Sequence, residues 1–509
     1  MLPPIAKIIC IILPLYFVLA FLSAGVIPSS SAQAQRFPAG STGASQSASA
    51  RGANQTVPAL FISDIHFDPF HDPGKAQQLS TAPTSQWAAI LASAPMPNQQ
   101  QAFDALQKQC HAKGVDTPPA LLQSGLAAMK VWQPDAKFMM ISGDLVVHDF
   151  PCRFQTLFPG ASSGDYQAFV LKTISYVLGE LRASFPGMPI YTALGNNDSD
   201  CEDYKFDPDS EFFAKAGSIF ALSLPAAGKQ AMKKEFSAGG NYSVLMAAPM
   251  KNTRLVVLND TLLSPKYKTC EGKRDTRGPD NEVLWLKKQL ANARSMGQRV
   301  WVLGHIPPGI DPYSTAVKFK DVCGGEDPVG FLSSTTIPDL MTEYADVVKL
   351  GIFGHTHMDE DRLLERGGGS GHSTADSGVA VKVIPSITPV HGNNPSFTIA
   401  SVSPTAASIK DYTVIEASNQ TGDDTKWEPE YNFAKSYRQP EFSPASLKVM
   451  IDKFKSDKVA VLPESETYLR SYFVGDRSAL LTPFWMQYTC ALNNYTGKAY
   501  AACVCQTGN

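Results

Sequence analysis

The chain has 509 residues, of which 44% are hydrophobic and 18% are charged, and its formal net charge is −3. This composition is typical of a globular protein with a large core, and the length allows two to three domains. No run of lysines and arginines stands out, so the sequence carries no signature of a protein that binds a nucleic-acid backbone.

The N-terminal residues have the features of a secretory signal. Lys7 is the only charged residue among the first 35, and an apolar stretch over 8–27 leads to Ala32-Gln33-Ala34. A charged start, an apolar centre and an A-x-A end are typical of a cleaved signal peptide. An apolar stretch of this length could also anchor the chain in a membrane, but Pro14 and the A-x-A site favour cleavage. We expect a signal peptide at 1–34, no transmembrane anchor after cleavage, and a secreted protein, either extracellular or periplasmic.

After a lead-in at 35–57 that is rich in Ser, Ala, Gly and Gln and is expected to be disordered, apolar runs alternate with helix-like stretches. In chain order we predict a strand at 57–62, a helix at 119–132, a strand at 137–142, a helix at 166–184, a strand at 189–194, a hairpin over 241–258, a helix at 282–296, and strands at 299–303, 347–353, 379–384 and 397–402. Alternating strands and helices indicate a layered α/β core.

The last part of the chain differs from this pattern. A Gly/Ser-rich segment at 367–371 is typical of a surface loop. After about Ala417 the pattern becomes helical and aromatic, and three cysteines lie near the end. We therefore predict a catalytic domain at 58–416 and a smaller helical subdomain, stapled by disulfides, at 417–509.

Eight cysteines lie beyond the signal sequence: Cys110, Cys152, Cys201, Cys270, Cys323, Cys490, Cys503 and Cys505. An even number of cysteines in an exported chain indicates disulfide bonds. A zinc site is the alternative. No Cys-x-x-Cys pair is present, and Cys503-Val504-Cys505 is weak support for a metal. The pairing stays open, because eight cysteines allow many connectivities.

Five short polar motifs follow predicted strands. They are Asp64-Ile65-His66, Gly143-Asp144, Gly195-Asn196-Asn197-Asp198, Gly304-His305 and Gly354-His355-Thr356-His357. In an α/β sheet the carboxyl ends of the strands share one edge, where ligands bind. Four histidines, two aspartates and one asparagine make a nitrogen and oxygen ligand set that suits Zn²⁺, Mn²⁺ or Fe. Two such ions ~3.5–4 Å apart, bridged by one carboxylate, can hold a phosphoryl group for in-line attack.

In order and context, these motifs resemble those of the calcineurin-like metallophosphoesterases. The resemblance implies a core of two sheets flanked by helices and two divalent metal ions, with Zn as the first choice and Mn or Fe as alternatives. The ligands that it implies for the first ion are Asp64, His66, Asp144 and His357. Those that it implies for the second ion are Asp144, Asn196, His305 and His355. Asp144 would therefore bridge the two ions.

A closer resemblance covers residues 57–509 and is to the acid sphingomyelinase-like phosphodiesterases. It is carried by the segments 142–149, 385–389 and 394–397 and by the Cys-rich, aromatic C-terminus. True acid sphingomyelinases also have a saposin-like domain that presents the lipid. The 23 residues between Ala34 and Pro58 contain no cysteine and leave no room for that domain. A lipid substrate is disfavoured on this ground.

Asn197 departs from the pattern of the family. The family usually has Gly-Asn-His at this motif, and that histidine is thought to contact the substrate or to protonate the leaving group. Asparagine offers amide donors but no transferable proton near neutral pH. The motif with Asn197 resembles the corresponding motif of the endopolyphosphatases, and this resemblance favours phosphoanhydride substrates. His148 could supply the proton instead, or it could be a structural histidine beneath the site.

These observations predict a secreted, two-metal hydrolase of phosphoric esters, in the first place a sphingomyelinase-like phosphodiesterase. The alternative is an endopolyphosphatase or a nucleotide pyrophosphohydrolase, which act on phosphoanhydrides. A non-catalytic metal-binding protein with the same fold is a third hypothesis, and the complete set of seven competent ligands argues against it. The remaining histidines are expected on the surface or in loops: His71, His111, His372 and His391.

Overall fold

Two six-stranded sheets form the centre of the structure, a computed structural model that describes residues 55–208, 210–367, 378–479 and 481–507. The predicted signal peptide, nearly all of the lead-in, most of the Gly/Ser-rich segment and His372 lie outside these residues. In the described part of the chain, no helix is both long enough and apolar enough to cross a bilayer.

The strands in chain order are β1 Val57–Ile62, β2 Met139–Ile141, β3 Ile190–Thr192, β4 Tyr242–Leu245, β5 Thr253–Val257, β6 Arg299–Leu303, β7 Val348–Phe353, β8 Glu360–Leu364, β9 Val379–Val383, β10 Ser396–Ser403, β11 Ser408–Ala417 and β12 Trp427–Asn432. The first sheet has the order β12-β11-β10-β1-β2-β3, and the second has the order β4-β5-β6-β7-β9-β8. Strands β1 to β3 are parallel to one another, as are β5, β6, β7 and β9. The other pairings are antiparallel, so both sheets are mixed.

The α-helices of the described residues are α1 Ala76–Thr81, α2 Trp87–Ala92, α3 Gln99–Gln109, α4 Pro119–Trp132, α5 Phe150–Leu157, α6 Ser163–Ser184, α7 Glu211–Phe220, α8 Lys229–Phe236, α9 Arg277–Ser295, α10 Pro312–Val317, α11 Thr336–Glu343, α12 Phe433–Tyr437, α13 Pro444–Ser456, α14 Pro463–Ser471, α15 Trp485–Ala491 and α16 Gly497–Thr507. Together with the two mixed sheets that they flank, they confirm the predicted layered α/β fold.

The main core lies between the two sheets. Along β6, Trp301 and Leu303 belong to this core, whereas Val300 and Val302 pack in a second cluster that includes side chains of α9 and α11. This division follows from the two-residue period of a strand, which sends successive side chains to opposite faces. The ring of Trp301 meets Phe61 of the other sheet edge to face, with ring centroids 6.2 Å apart.

Local sequence signals explain where two of the helices begin. Helix α4 starts at Pro119, as predicted, because a proline suits the first turn, where its missing N–H would have no helical partner. Helix α6 starts before the predicted position. Ser162 accepts a hydrogen bond from the backbone N–H of Asp165, whose carboxylate bonds back to the N–H of Ser162. This capping box fixes the start at Ser163.

The structure corrects the secondary structure predicted for the region after residue 417. That region begins with β12, which pairs with β11 and extends the first sheet, before the helices start. The strand is held by aromatic residues, since Trp427 and Tyr431 are both buried. Strands β8 and β11 and the helices over 76–109 and 211–236 were not predicted either. The hairpin of β4 and β5 is confirmed.

The eight cysteines form four disulfides, which confirms the prediction from their even number. The pairs are Cys110–Cys152, Cys201–Cys270, Cys323–Cys505 and Cys490–Cys503. Since both Cys503 and Cys505 are oxidised, the alternative of a zinc site at this pair is wrong. One disulfide closes within the C-terminal helices, and another joins their end to the segment around Cys323.

Candidate metal centre

The seven side chains predicted as metal ligands converge at the carboxyl ends of parallel strands. Asp64 and His66 follow β1, and Asp144 and Asn196 follow β2 and β3 of the same sheet. The three remaining histidines follow β6 and β7, which are neighbours in the second sheet. The two sheets thus present their ligand-bearing loops to one common site, as expected for strand ends in an α/β fold. Whether these side chains bind metal stays a prediction.

Asp144 lies at the centre of this group and is 1% exposed. Its Oδ2 atom is 3.4 Å from Nε2 of His66 and 3.2 Å from Nε2 of His305. These two histidines belong to the two different ligand sets expected from the sequence. One carboxylate oxygen therefore faces both halves of the site, which is the position of a bridging ligand.

The first half of the site is assembled around Asp64. Its Oδ1 atom lies 3.8 Å from Nε2 of His66 and 3.5 Å from Nε2 of His357. All three residues are buried. Among the residues that the structure describes, Nε2 of His66 and Nδ1 of His357 find no hydrogen-bond partner. Buried polar atoms are nearly always paired, so these orphaned nitrogens fit a site that holds cations.

The second half is assembled around His305. Its Nε2 atom lies 3.0 Å from Oδ1 of Asn196 and 3.3 Å from Nδ1 of His355. One ring nitrogen or amide oxygen from each of three residues thus lies at one small volume beside Asp144. A divalent ion suits this nitrogen and oxygen composition.

The backbone at these loops adopts a conformation that few residues favour. Five of the seven expected ligands have a positive φ: Asp64, His66, Asp144, His355 and His357. Non-glycine residues in this left-handed region carry strain, and such strain concentrates at functional sites. The preceding glycines allow the close packing that this requires, since a Cβ at Gly195 would overlap the carboxylate of Asp144.

A surrounding layer of hydrogen bonds fixes the orientation of the ligands. Nδ1 of His66 lies 2.9 Å from the carbonyl of Val146, and Nδ1 of His305 lies 2.8 Å from the carbonyl of Ser142. Each ring donates through Nδ1 and keeps the lone pair of Nε2 directed at the site. Asp198 is fully buried and accepts from the backbone N–H groups of Leu145 and Gly195 at 2.8 and 2.9 Å, which joins the loops after β2 and β3.

The electrostatics of the site favour positive charge. Burial alone would lower the pKa of His66, but attraction to Asp144 and Asp64 raises it to about 9. Burial would also lower the pKa of His305, but attraction to Asp144 raises it to about 10. Burial would raise the pKa of Asp144, yet His305 and His66 hold it well below its usual range. Without other cations the carboxylates thus stabilise protonated imidazoles, and a bound metal ion would displace the protons from these rings.

Asn197, the predicted substrate contact, is bonded to Asp144. Its backbone N–H donates to Oδ1 of Asp144 at 2.8 Å, and its side-chain Nδ2 donates to Oδ2 at 2.9 Å. Asn197 is 8% exposed. The side chain therefore lies at the candidate metal site, where its amide donates to the central carboxylate.

His148, the second predicted catalytic residue, lies beside the first half of the site. Its ring stacks on that of His66 with centroids 3.8 Å apart. Ring nitrogens of His66, His148 and His357 lie within 4.8 Å of one another. Nδ1 of His148 is 2.9 Å from Oδ1 of Asp116, which is buried and also accepts from Thr388 Oγ1 at 2.8 Å. The side chain of His148 is 29% exposed, so Asp116 orients a ring that solvent can still reach.

Three residues near the site were missed by the sequence analysis. Asp116 contacts the ring of His148, and no sequence motif identifies Asp116. Tyr204 places its hydroxyl 3.1 Å from Nε2 of His355. The ring of His391, expected in a loop, packs against His357 with centroids 4.8 Å apart. All three lie in connections between strands, where the apolar patterns that locate the strands give no signal.

The sequence is similar to those of known phosphoesterases. The sequence profile of the calcineurin-like phosphoesterases matches residues 57–359, more than half of the chain. Acid sphingomyelinase-like phosphodiesterase 3b of Homo sapiens is 25% identical over 90% of this chain and 92% of its own length. Cyclic GMP-AMP phosphodiesterase SMPDL3A of Mus musculus is 25% identical over 77% of this chain and 82% of its own length.

Among solved structures, a dimetal phosphatase from Danio rerio aligns with a TM-score of 0.37 and 11% identity, covering 73% of this chain and 98% of that chain. The profile match carries the assignment, since it spans all five polar motifs from Asp64 to His357. This chain belongs to the calcineurin-like phosphoesterase family.

Proposed function

We propose that this protein is a secreted phosphodiesterase that uses two divalent metal ions, in the first place Zn²⁺. Family membership makes it a metal-dependent phosphoesterase; the diester substrate, the number of ions and the secretion are the proposed parts. The observation that carries the proposal is the position of Asp144, with one oxygen between Nε2 of His66 and Nε2 of His305. The similar proteins named above are phosphodiesterases by name, which supports a diester.

The donor set fits two ions of this kind. Asp64, His66, Asp144 and His357 would hold one ion, and Asp144, Asn196, His305 and His355 would hold the other. When bound, such ions lower the pKa of water towards neutrality and neutralise charge on the phosphoryl oxygens. Asn197 would keep Asp144 in its bridging orientation through its two hydrogen bonds.

His148 is the proposed general acid for the leaving group. Its contact with Asp116 fixes the ring, and a histidine so placed can give a proton to an alkoxide oxygen. This arrangement resembles the orienting carboxylate and histidine of other hydrolases, in which the carboxylate sets the tautomer. It removes the need for a histidine at the position of Asn197.

Phosphoanhydride hydrolysis is the second candidate, and Asn197 is the observation that favours it. The amide is bonded to Asp144 and has no proton to transfer. A leaving phosphate or pyrophosphate needs less protonation than an alkoxide. An enzyme that relies on one general acid therefore loses less of its rate on anhydrides than on alkyl esters. An endopolyphosphatase or a nucleotide pyrophosphohydrolase fits this condition.

The experiment for the proposed activity is turnover of bis(p-nitrophenyl) phosphate by purified protein, first stripped with a chelator and then supplied with Zn²⁺ or Mn²⁺. Activity that is absent in the stripped protein and returns with the metal supports the proposal. A correctly folded, metal-loaded protein that hydrolyses neither this diester nor any anhydride would instead be the non-catalytic binding protein.

Secretion is proposed together with a catalytic domain at 58–416 and a C-terminal subdomain at 417–509. The four disulfides support export to an oxidising compartment, since such bonds are rare in reducing compartments. Mass spectrometry of the N-terminus of the exported protein tests it. We expect the mature chain to begin at Gln35, and an intact first segment retained in the membrane fraction would contradict cleavage.

A further inference from the structure

Lys266 stands at the edge of the metal centre, outside the set of residues that the proposed mechanism uses. Its Nζ atom donates to the hydroxyl of Tyr204 at 3.3 Å and lies 4.5 Å from the centroid of that ring. The same hydroxyl is hydrogen-bonded to Nε2 of the expected ligand His355 at 3.1 Å. Two hydrogen bonds in series thus connect an ammonium group to the metal site.

The segment that carries Lys266 is held against the segment that carries Tyr204. The backbone N–H of Lys268 donates to the carbonyl of Tyr204, and that of Phe206 donates to the carbonyl of Lys268, each at 3.1 Å. The disulfide Cys201–Cys270 closes the same two segments. Preorganisation of this kind lowers the entropy that a binding side chain must lose when it meets its ligand.

The charge of Lys266 is available to a ligand. Lys266 is an exposed residue, whereas Tyr204, to which its ammonium group donates, is buried. The acidic neighbour is Asp203, whose Oδ1 accepts from Nδ2 of Asn196 at 2.6 Å and is thereby turned towards the metal site. Among the described residues, Lys266 makes no ion pair within 4 Å.

We infer that Lys266 is a specificity residue that recognises a second phosphoryl group, joined by an anhydride bond to the phosphoryl group at the metals. This inference rests on the proposed two-metal function and selects its second candidate, a phosphoanhydride, as the substrate class. Charge-assisted hydrogen bonds to phosphate oxygens are among the strong ones.

The test is calorimetric titration of the metal-loaded protein with two ligands that it cannot hydrolyse. Methylenediphosphonate carries two phosphoryl groups, and methylphosphonate carries one. In Lys266→Gln the ratio of the two affinities should fall about ten-fold, as expected for the loss of a hydrogen bond to a charged group. Lys268→Gln is the matched control. Lys268 is an exposed lysine of the same segment, and the contacts described for it are backbone hydrogen bonds. The affinity ratio of this variant should equal that of the wild type.

An unchanged ratio in Lys266→Gln, or an equal fall in Lys268→Gln, would overturn the inference. Titration with α,β-methylene-ADP adds a nucleoside to the same pair of phosphoryl groups, and it tests whether Lys266 acts on the phosphoryl groups or on the nucleoside. A fall with both diphosphonates supports the inference, whereas a fall with the nucleotide alone overturns it. The affinity ratio does not depend on turnover, so a wild type that binds as expected but hydrolyses no substrate would defeat the proposed function and leave this inference standing.

Discussion

At the scale of single residues, the account depends most on Asp144. It is the one side chain assigned to both ions, and its carboxylate is held from two sides by Asn197 and by the histidines. Replacement by asparagine keeps the shape and removes the negative charge that a bridging ligand needs. We expect Asp144→Asn to abolish phosphoesterase activity and to lower the metal content, while the circular dichroism spectrum stays that of a folded protein.

Asp135→Asn is the control for this substitution, because Asp135 is an exposed aspartate close to β2 and should tolerate the same change. Turnover of Asp144→Asn near that of the control would refute the assigned site.

His148 and Asp116 act as a pair in this account. His148→Gln should slow the hydrolysis of alkyl diesters by about 10²–10⁴-fold, the usual worth of a general acid. With p-nitrophenol as the leaving group the loss should be much smaller, because this group leaves without protonation. Asp116→Asn should produce the same selective loss, since it removes the acceptor that orients the ring.

Residues that work as one unit give non-additive losses, so the double variant should be little worse than His148→Gln alone. The measurement is kcat/KM on both substrate classes, with the exposed His111→Gln as the control. Equal losses on both classes would show that His148 is structural.

At the scale of elements, strands β8 and β9 carry a buried ionic cluster close to the metal centre. Lys382 on β9 pairs with Asp359 and, at 3.0 Å, with Asp361, and all three side chains are buried. The hydroxyls of Tyr431 and Tyr412 donate to the two carboxylates at 2.6 and 2.7 Å. Asp359 follows His357 by two residues, so the cluster anchors the loop that holds this ligand.

Lys382→Met should lower the free energy of unfolding by about 3–5 kcal/mol, because it leaves two buried carboxylates without a cation. Guanidinium chloride denaturation measures this loss. Lys410→Met is the control, since Lys410 pairs with Glu441 on the surface and should contribute about 0–1 kcal/mol. A loss for Lys382→Met as small as that of the control would mean that the cluster contributes little to stability.

The same elements show what the sequence could predict. Strand β6 was predicted with its observed bounds because Arg299–Leu303 is a short apolar run between a helix and a Gly-His motif. Helix α3 was not predicted, because its Gln-rich sequence buries only Phe103 and Leu106. The polar motifs were found because each follows a strand. Tyr204 and Lys266 were not, since their contact depends on how two loops 62 residues apart fold against each other.

At the scale of the whole molecule, disulfides tie distant segments together. Cys323–Cys505 spans 182 residues and fixes the C-terminal helix to the part of the chain that follows β6. We expect no free thiol among the eight cysteines of the mature chain when the denatured, unreduced protein is titrated with a thiol reagent. Several reactive thiols would contradict the four bonds.

Removing this long-range disulfide by Cys323→Ser together with Cys505→Ser should lower the free energy of unfolding by about 2–5 kcal/mol. Denaturation of the double variant and the wild type in the absence of reductant measures the difference. An unchanged unfolding free energy would mean that the C-terminal helices are held by packing alone.

The central claim is that one carboxylate joins two metal ions at the meeting point of the two sheets. Anomalous diffraction from crystals of the Zn²⁺-loaded protein tests it most directly. The account predicts two peaks ~3.5–4 Å apart, with Asp144 bonded to both, His66 and His357 on one side and His305 and His355 on the other. A single peak, or two peaks of which only one contacts Asp144, would contradict it.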